Sequence, residues 1–308
     1  MIELNKLYCA EAVEFMKNNI PNNYIDLTVT SPPYDNLRTY NGYDFDFESM
    51  VKELYRVTKE GGVLVWVVGD ATIKGSETGT SFRQALRFVG SGIDKKDERA
   101  IKYISNIISL DISNEEKINL IHSYYYIRQQ TNQFEKYGFN LHDTMIYRKN
   151  SLTFPDTNRY YQCFEFMFII SKGKPKTVNL IKDKINKQAN KIITGNYRDI
   201  DGSLKEMSGS KNKRVIKKYG VRWNIWDYNT GWKHSYSEDY LRGHPAIFPE
   251  QLAHDHIISW SNENDIILDP MCGSGTTLKM AKQLNRNYIG IDISQKYIDI
   301  AEQRLNKI

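Results

Sequence analysis

The order of apolar and polar residues along the chain predicts strands that alternate with helices. Runs of β-branched and apolar residues predict strands at 1–8, 24–30, 63–68, 265–269 and 287–292, and less regular ones at 141–148 and 162–170. Apolar residues spaced three or four positions apart predict helices over 12–17, 47–58, 82–89 and 295–305. This alternation indicates an α/β domain. The polar stretch 90–133 carries no motif and is interpreted as an insertion.

A proline-rich corner follows the strand at 24–30. Its residues are Ser31, Pro32, Pro33 and Tyr34. Two prolines fix φ twice and remove two backbone donors, so this corner is stiff and extended. It offers a hydroxyl, carbonyls outside any ladder and an aromatic ring, which together suit a flat heterocycle with an exocyclic amine. An ordinary Pro-Pro loop is the alternative.

A glycine-rich turn follows the strand at 265–269. Gly273 and Gly275 stand between Asp269 and a predicted helix, and Asp292 ends the next strand about twenty residues later. Glycines let the backbone approach a ligand because no Cβ intervenes. A strand, a glycine turn, a helix and a second strand that ends in an acid predict a nucleotide-type binding site.

Together the two motifs resemble the amino-methylating DNA methyltransferases, which transfer a methyl group from S-adenosylmethionine to an exocyclic nitrogen. The Ser-Pro-Pro-Tyr motif precedes the glycine turn, which is the order of the family's β group. The resemblance implies a doubly wound, mostly parallel sheet with a circularly permuted Rossmann-like fold. It also implies catalytic and cofactor-binding halves at 1–171 and 244–308, with a target-recognition lobe inserted at 172–243.

The resemblance also suggests which residues act. Ser31, Pro32, Pro33 and Tyr34 would form the catalytic corner. The residues expected to bind the cofactor are Glu11, Ala12, Ser31, Pro245, Asp269, Pro270, Cys272, Gly273, Ser274, Gly275, Thr276, Asp292 and Ile293. Glu11 departs from the family's usual Asp and alternatively caps a helix, and Cys272 replaces a usual aromatic residue. Asp70 is a further candidate at the same sheet edge.

A basic segment lies between Lys172 and Lys218, where 14 Lys and Arg residues stand against 4 Asp and Glu residues. Such a segment on a mildly acidic body favours double-stranded DNA as a partner; a solvated lysine-rich loop is the alternative. The candidate DNA or base contacts are Arg38, Tyr40, Tyr160, Lys213, Arg214, Arg222, Trp223 and Trp226, with Glu165 as a further candidate. Rim packing for Tyr160, and core packing for at least one of the two tryptophans, are the competing interpretations.

The first position of the motif bears on the target amine. In the resembled family Ser there mostly accompanies cytosine N4, whereas Asp or Asn mostly accompanies adenine N6, so Ser31 predicts cytosine N4 with adenine N6 as the alternative. The base must leave the duplex stack to reach the corner. Methylation of RNA or of a protein glutamine, and DNA binding without catalysis, are the rival classes.

Composition narrows the class of protein further. The chain has 308 residues, of which 40% are hydrophobic, and no apolar run approaches membrane-spanning length. The amino terminus lacks a signal-peptide pattern, so we expect a cytoplasmic protein without membrane contact. Cys9, Cys163 and Cys272 are far apart and form no CxxC, so we expect neither a disulfide framework nor a metal site. A cognate restriction endonuclease and a homodimer stay open.

Overall fold

The computed structural model describes residues 2–33, 45–89, 109–113, 115–120, 138–150, 158–231 and 249–308. Its strands are β1 Lys6–Cys9, β2 Ile25–Thr30, β3 Thr58–Val68, β4 Thr72–Ile73, β5 Ser76–Glu77, β6 Phe139–Lys149, β7 Phe164–Lys172, β8 Lys184–Ile185, β9 Asn196–Arg198, β10 Leu204–Glu206, β11 Tyr219–Gly220, β12 Ile225–Tyr228, β13 Ile266–Asp269 and β14 Asn287–Asp292. Its helices are α1 Ala12–Asn19, α2 Phe47–Val57, α3 Thr80–Phe88, α4 Ser208–Lys211, α5 Glu250–Trp260, α6 Thr276–Gln283 and α7 Gln295–Leu305.

Eight of these strands form one sheet in the order β1-β14-β13-β2-β3-β7-β6-β12. β7 pairs antiparallel with both of its neighbours, and the other pairings in this sheet are parallel. The carboxyl ends of the parallel strands therefore lie at one edge of the sheet, where α/β proteins place ligands. The expected doubly wound, mostly parallel sheet is confirmed, and the circular permutation stays a prediction.

Helices cover both faces of the sheet because its central strands are apolar on both sides. On one face α5, α6 and α7 pack on a core that includes Val29, Val65 and Ile267. On the other face α1, α2 and α3 pack on a core that includes Leu64 and Trp66. The sheet is thus held from both sides, and its carboxyl edge is a rigid base for a site.

The sequence pattern predicts no strand of the main sheet between 172 and 243, yet β12 lies in this range. This expectation was wrong for 225–228, which pairs in parallel with β6. Only Trp226 and Tyr228 of its four residues are buried, while Ile225 and Asp227 are exposed. A four-residue edge strand with two inward positions carries too little alternation to be recognised.

None of the helices in the described ranges is both long and apolar enough to cross a lipid bilayer. The expected insertion at 90–133 lies mostly outside the described residues.

His256 on α5 links the fold to solution pH. Its side chain is fully buried, its ring packs against Trp226 with centroids 4.7 Å apart and planes tilted by 30°, and its Nε2 lies 3.1 Å from Met167 Sδ. Burial lowers the pKa of His256 from 6.5 to about 3. Between pH 6.5 and about 3, His256 is therefore protonated in the unfolded chain but neutral in the folded protein.

We expect His256 to make the protein lose stability on acidification. Each pH unit between 6.5 and 3 costs about 1.4 kcal/mol, so lowering the pH from 6.5 to 5 costs about 2 kcal/mol from this group. Urea unfolding at both pH values measures the loss, which should be about 2 kcal/mol smaller in His256→Leu. Equal losses in the two proteins would contradict the assignment.

Candidate active site

The proline-rich corner leaves the carboxyl end of β2, as the sequence predicts. Pro32 is buried, whereas Ser31 and Pro33 are partly exposed. β2 lies between β3 and β13, so the corner is at the centre of the sheet edge. Tyr34, the last residue of the predicted corner, lies outside the described residues.

A buried hydrogen bond joins the corner to the glycine-rich turn. Thr30, the last residue of β2, donates from Oγ1 to Asp269 Oδ1 at the end of β13, at 2.8 Å. The hydroxyl of Thr277 on α6 donates to the Val29 carbonyl at 3.1 Å. These bonds cross between two strands and a helix, so the two motifs form one structural unit although more than 200 residues separate them.

Asp269 is almost fully buried beneath this junction. Burial raises its pKa from 3.8 to about 6, and the hydrogen bonds from Thr30 and from the backbone of Met271 oppose the shift. An isolated carboxylate at this depth would be very costly, so the hydroxyl of Thr30 compensates for the lost water.

The glycine-rich turn has the backbone that only glycine adopts easily. Gly275 has φ of +74°, and a Cβ at this position would lie 2.8 Å from the Cβ of Ala301 on α7. Gly273 has φ of +49°, and its amide donates to Asp292 Oδ2 at 2.9 Å. The turn is therefore pinned between α7 and the end of β14, and the absence of a Cβ at Gly275 allows its close packing against Ala301.

Asp292 ends β14 beside this turn. Its second carboxylate oxygen accepts from the Ser294 amide at 2.9 Å, and burial raises its pKa. Cys272 is buried directly in the turn, and burial raises the pKa of its thiol well above the usual value. A protonated thiol packs here as a small apolar group. Pro270, Ser274, Thr276 and Ile293 lie within or next to the same turn and strand end.

Glu11 starts α1 next to Asp292 along the sheet edge. The Ala10 amide donates to the Asp292 carbonyl at 3.0 Å, which keeps the two segments together. The Glu11 carboxylate accepts from the amides of Val13 at 3.0 Å and Glu14 at 2.7 Å. It is thus the N-cap of α1 in this structure, and Ala12 is buried behind it. Cofactor binding by either residue stays a prediction.

Arg304 was not singled out from the sequence, although it is among the largest fully buried side chains of the protein. It donates to Ser274 and Thr276 of the turn and pairs with Glu250. The one signal in the sequence is its place within the inward-facing stripe formed by Ile298, Ala301 and Leu305 on α7.

Comparison with known proteins identifies the family. A model described as DNA methylase, for N6 and N4 methyltransferases, matches residues 25–303. The chain belongs to the N6/N4 DNA methylase family.

Individual relatives agree with this assignment. The chain is similar to the orphan methyltransferase M.BamHII of Bacillus amyloliquefaciens, with 52% identity over 94% of this chain and 92% of that protein. It is 26% identical to the type II methyltransferase M.HinfI of Haemophilus influenzae, over 99% of this chain and 69% of that protein. Its fold is similar to that of the PvuII DNA methyltransferase, a cytosine-N4-specific enzyme, with a TM-score of 0.60 and 16% identity over 99% of this chain and 87% of that one.

The candidate DNA contacts of this methylase differ in their exposure to solvent. Lys213 and Arg214 are exposed in the basic segment, and Tyr160 is fully exposed. Trp223 is 69% exposed, and Lys184 Nζ lies 4.5 Å from the centroid of its ring. Trp226 is 6% exposed and packs in the core, as the competing interpretation held for one of the tryptophans.

Arg222 lies between the basic segment and α5. Its guanidinium pairs with Asp183 and with Asp255, the latter at 2.5 Å, and lies over the ring of Trp226. Burial alone would raise the pKa of Asp255, but hydrogen bonds from Arg222, Tyr228 and other groups outweigh burial and lower it. Arg222 therefore anchors the basic segment to α5 through Asp255 and contacts β12 through Trp226, and this geometry favours a structural role over base reading.

Other candidates are placed as follows. Asp70 accepts from the amide of Ser81 at 2.9 Å and from its hydroxyl, so it caps the start of α3. Glu165 pairs with Lys149 at the same sheet edge. Arg38, Tyr40 and Pro245 lie outside the described residues. Within the described ranges, His, Cys, Asp and Glu form no group of three that could hold a metal ion.

The junction between the motifs can be tested with two isosteric changes on one strand. Thr30→Val removes the hydroxyl that Asp269 needs, so we expect a loss of about 1–3 kcal/mol in the free energy of unfolding and weaker cofactor binding. Urea denaturation and titration calorimetry measure the two effects.

Thr28→Val is the matched control. The Thr28 hydroxyl is buried and has no hydrogen-bond partner among the described residues, so its removal should be neutral or stabilising. Similar results for the two variants would show that the Thr30–Asp269 bond does not hold the site together.

Proposed function

We propose that this DNA methylase transfers a methyl group from S-adenosylmethionine to N4 of a cytosine that is flipped out of double-stranded DNA. The carrying observation is the hydrogen bond between Thr30 and Asp269, because it sets the Ser31 corner beside the glycine-rich turn. Ser31 in the first position of the motif supports cytosine N4 over adenine N6, by its resemblance to the cytosine-modifying members of the family.

As a member of the N6/N4 DNA methylase family, the chain uses S-adenosylmethionine. The turn fits such a group because its two glycines allow the positive-φ backbone that brings the Gly273 amide onto Asp292. The Asp292 carboxylate then lies beside the turn as an acceptor for ribose hydroxyls. Ser274, Thr276 and the first turn of α6 complete the proposed binding site. When bound, the cofactor supplies an activated methyl group on a sulfonium.

The Ser31 corner positions the target amine. The lone pair of an aromatic exocyclic amine is delocalised into the ring, so the amine is a poor nucleophile. Acceptors for its two N–H bonds, in our proposal the Ser31 hydroxyl and the Pro32 carbonyl, favour a pyramidal nitrogen with an available lone pair. Tyr34 would stack on the base. Alignment and exclusion of water then supply most of the remaining acceleration.

Adenine N6 is the second candidate, because its amine needs the same acceptors. The exposed Trp223, with Lys184 over its ring, favours a nucleic acid over a protein substrate. We propose that this surface binds the DNA duplex, with Lys213 and Arg214 contacting phosphates.

Type II and orphan methyltransferases both occur among the relatives, so we propose a modification enzyme of the restriction-modification type, with or without a cognate endonuclease.

Mass spectrometry of nucleosides tests the target base. DNA incubated with the protein and methyl-labelled S-adenosylmethionine should contain labelled N4-methylcytosine. Labelled N6-methyladenine would support the proposed role of the Ser31 corner but contradict cytosine as the target base. Label in RNA alone would contradict DNA as the substrate.

Ser31→Ala separates the corner from the cofactor site in the same assay. We expect turnover to fall about 100-fold or more while the Kd for S-adenosylmethionine changes little, because the hydroxyl contacts the amine. Ser49→Ala, at a partly buried serine on α2, is the control. A Ser31→Ala protein that loses cofactor affinity and turnover together would show that the corner belongs to the cofactor site.

Salt dependence tests the DNA surface. Neutralising Lys213 and Arg214 to Gln should reduce the slope of log K against log salt by about two, because two phosphate contacts are lost. Lys17→Gln with Lys282→Gln is the control, since both lysines lie in the last turns of helices that end at the opposite edge of the sheet. A slope unchanged by the first pair would place the DNA elsewhere.

A further inference from the structure

Arg304 connects the glycine-rich turn to the helices behind it. Its side chain has no solvent exposure. Its Nη1 donates to the Ser274 carbonyl at 3.2 Å and to the Thr276 hydroxyl oxygen at 2.8 Å, and lies 3.4 Å from the Ser274 hydroxyl oxygen. One guanidinium nitrogen thus contacts the turn on both sides of Gly275.

The counter-charge of Arg304 is Glu250, the first residue of α5. Glu250 Oε1 pairs with Arg304 Nη2 and, at 2.5 Å, with Lys279 Nζ on α6. A single carboxylate therefore ties together the starts of α5 and α6 and the end of α7. All of these contacts lie directly behind the turn.

Burying an arginine is costly unless its charge and its N–H groups find partners. Here the partners are Glu250 and the oxygens of the turn, so the turn cannot change shape without leaving part of the guanidinium unsatisfied. The backbone of the turn includes positive φ values at Gly273 and Gly275, a conformation that a glycine-rich segment does not hold by itself. A turn that is already ordered pays less conformational entropy when a ligand binds.

The hydrogen bond from Arg304 also fixes the orientation of the Thr276 hydroxyl. Because its oxygen accepts from Arg304, its own hydrogen is free to point away from the guanidinium. Thr276 is the first residue of α6, where backbone amides lack intrahelical partners and the helix dipole is positive. Arg304 therefore fixes the Thr276 hydroxyl behind the turn, at the start of α6.

We infer that Arg304 is a positioning residue that holds the 272–276 turn in the conformation that binds S-adenosylmethionine, with Glu250 as its counter-ion. This inference rests on the proposed cofactor site. Arg304 acts through the turn and does not itself contact the reacting atoms.

Substitution of an arginine with a purely structural role should leave the Kd for S-adenosylmethionine unchanged. The chain has such an arginine for comparison. Arg286 precedes β14 at the opposite end of the sheet and is partly buried. It donates to the Ser261 carbonyl at 2.8 Å and to the Leu284 carbonyl at 2.6 Å. Arg286→Met removes an arginine that holds a loop in place, as Arg304→Met does, but far from the turn.

The test measures the Kd for S-adenosylmethionine by titration calorimetry at a temperature where thermal melts show every variant to be folded. We expect Arg304→Met to raise the Kd about 10- to 100-fold and Arg304→Lys to restore part of the affinity, while Arg286→Met stays within about twofold of the wild type. In turnover, Arg304→Met should raise the KM for S-adenosylmethionine and leave kcat at saturation nearly unchanged. Equal Kd values for Arg304→Met and Arg286→Met would overturn the inference.

Two further variants keep the test decisive. If Arg304→Met does not fold, Glu250→Gln removes the counter-charge while the arginine stays; a Kd raised several-fold supports the inference and an unchanged Kd overturns it. Asp292→Asn tests the cofactor site itself. If Asp292→Asn weakens binding of S-adenosylmethionine and Arg304→Met does not, only the inference about Arg304 fails. If the wild-type protein does not bind S-adenosylmethionine, both the proposed cofactor site and the inference fail.

Discussion

The site depends on one buried hydrogen bond, in which the Thr30 hydroxyl donates to the Asp269 carboxylate. Each residue ends its own strand, and the two strands are parallel neighbours at the centre of the sheet. Because Asp269 is almost without solvent, the bond is the main polar compensation on the side facing β2. It sets the position of the proline-rich corner relative to the glycine-rich turn, which is the geometry that a group transfer between two ligands requires.

The protein also uses charged side chains, several of them buried, to hold its segments together. The Asp292 carboxylate accepts from the Gly273 amide, Arg304 donates to the other side of the same turn, and Arg222 anchors the basic segment to α5 through Asp255. Each of these groups is costly to bury alone and is satisfied by backbone or by an opposite charge. The helix α5 carries both Glu250 and Asp255, so its first residue holds the glycine-rich turn and a residue further along the same helix holds the basic segment.

The elements with strong local patterns could be predicted from sequence. The strand before the Ser31 corner and the strand, turn and helix around Gly273 and Gly275 have the expected places, because burial on both faces and glycine spacing are local signals. β12 was missed because only two of its residues face the core. Arg304 and the partner of Thr30 were missed because those contacts join residues distant in sequence, and no local pattern reports them. Glu11 has the capping contacts of the alternative interpretation.

The central claim is that the two motifs form one methyl-transfer site, and a crystal structure with bound S-adenosylmethionine tests it most directly. The account predicts ribose hydroxyls within hydrogen-bond distance of Asp292, a turn unchanged at Gly273 and Gly275, and the methyl group facing Ser31 and Pro32. A ribose away from Asp292, or a methyl group that points away from the corner, would contradict it.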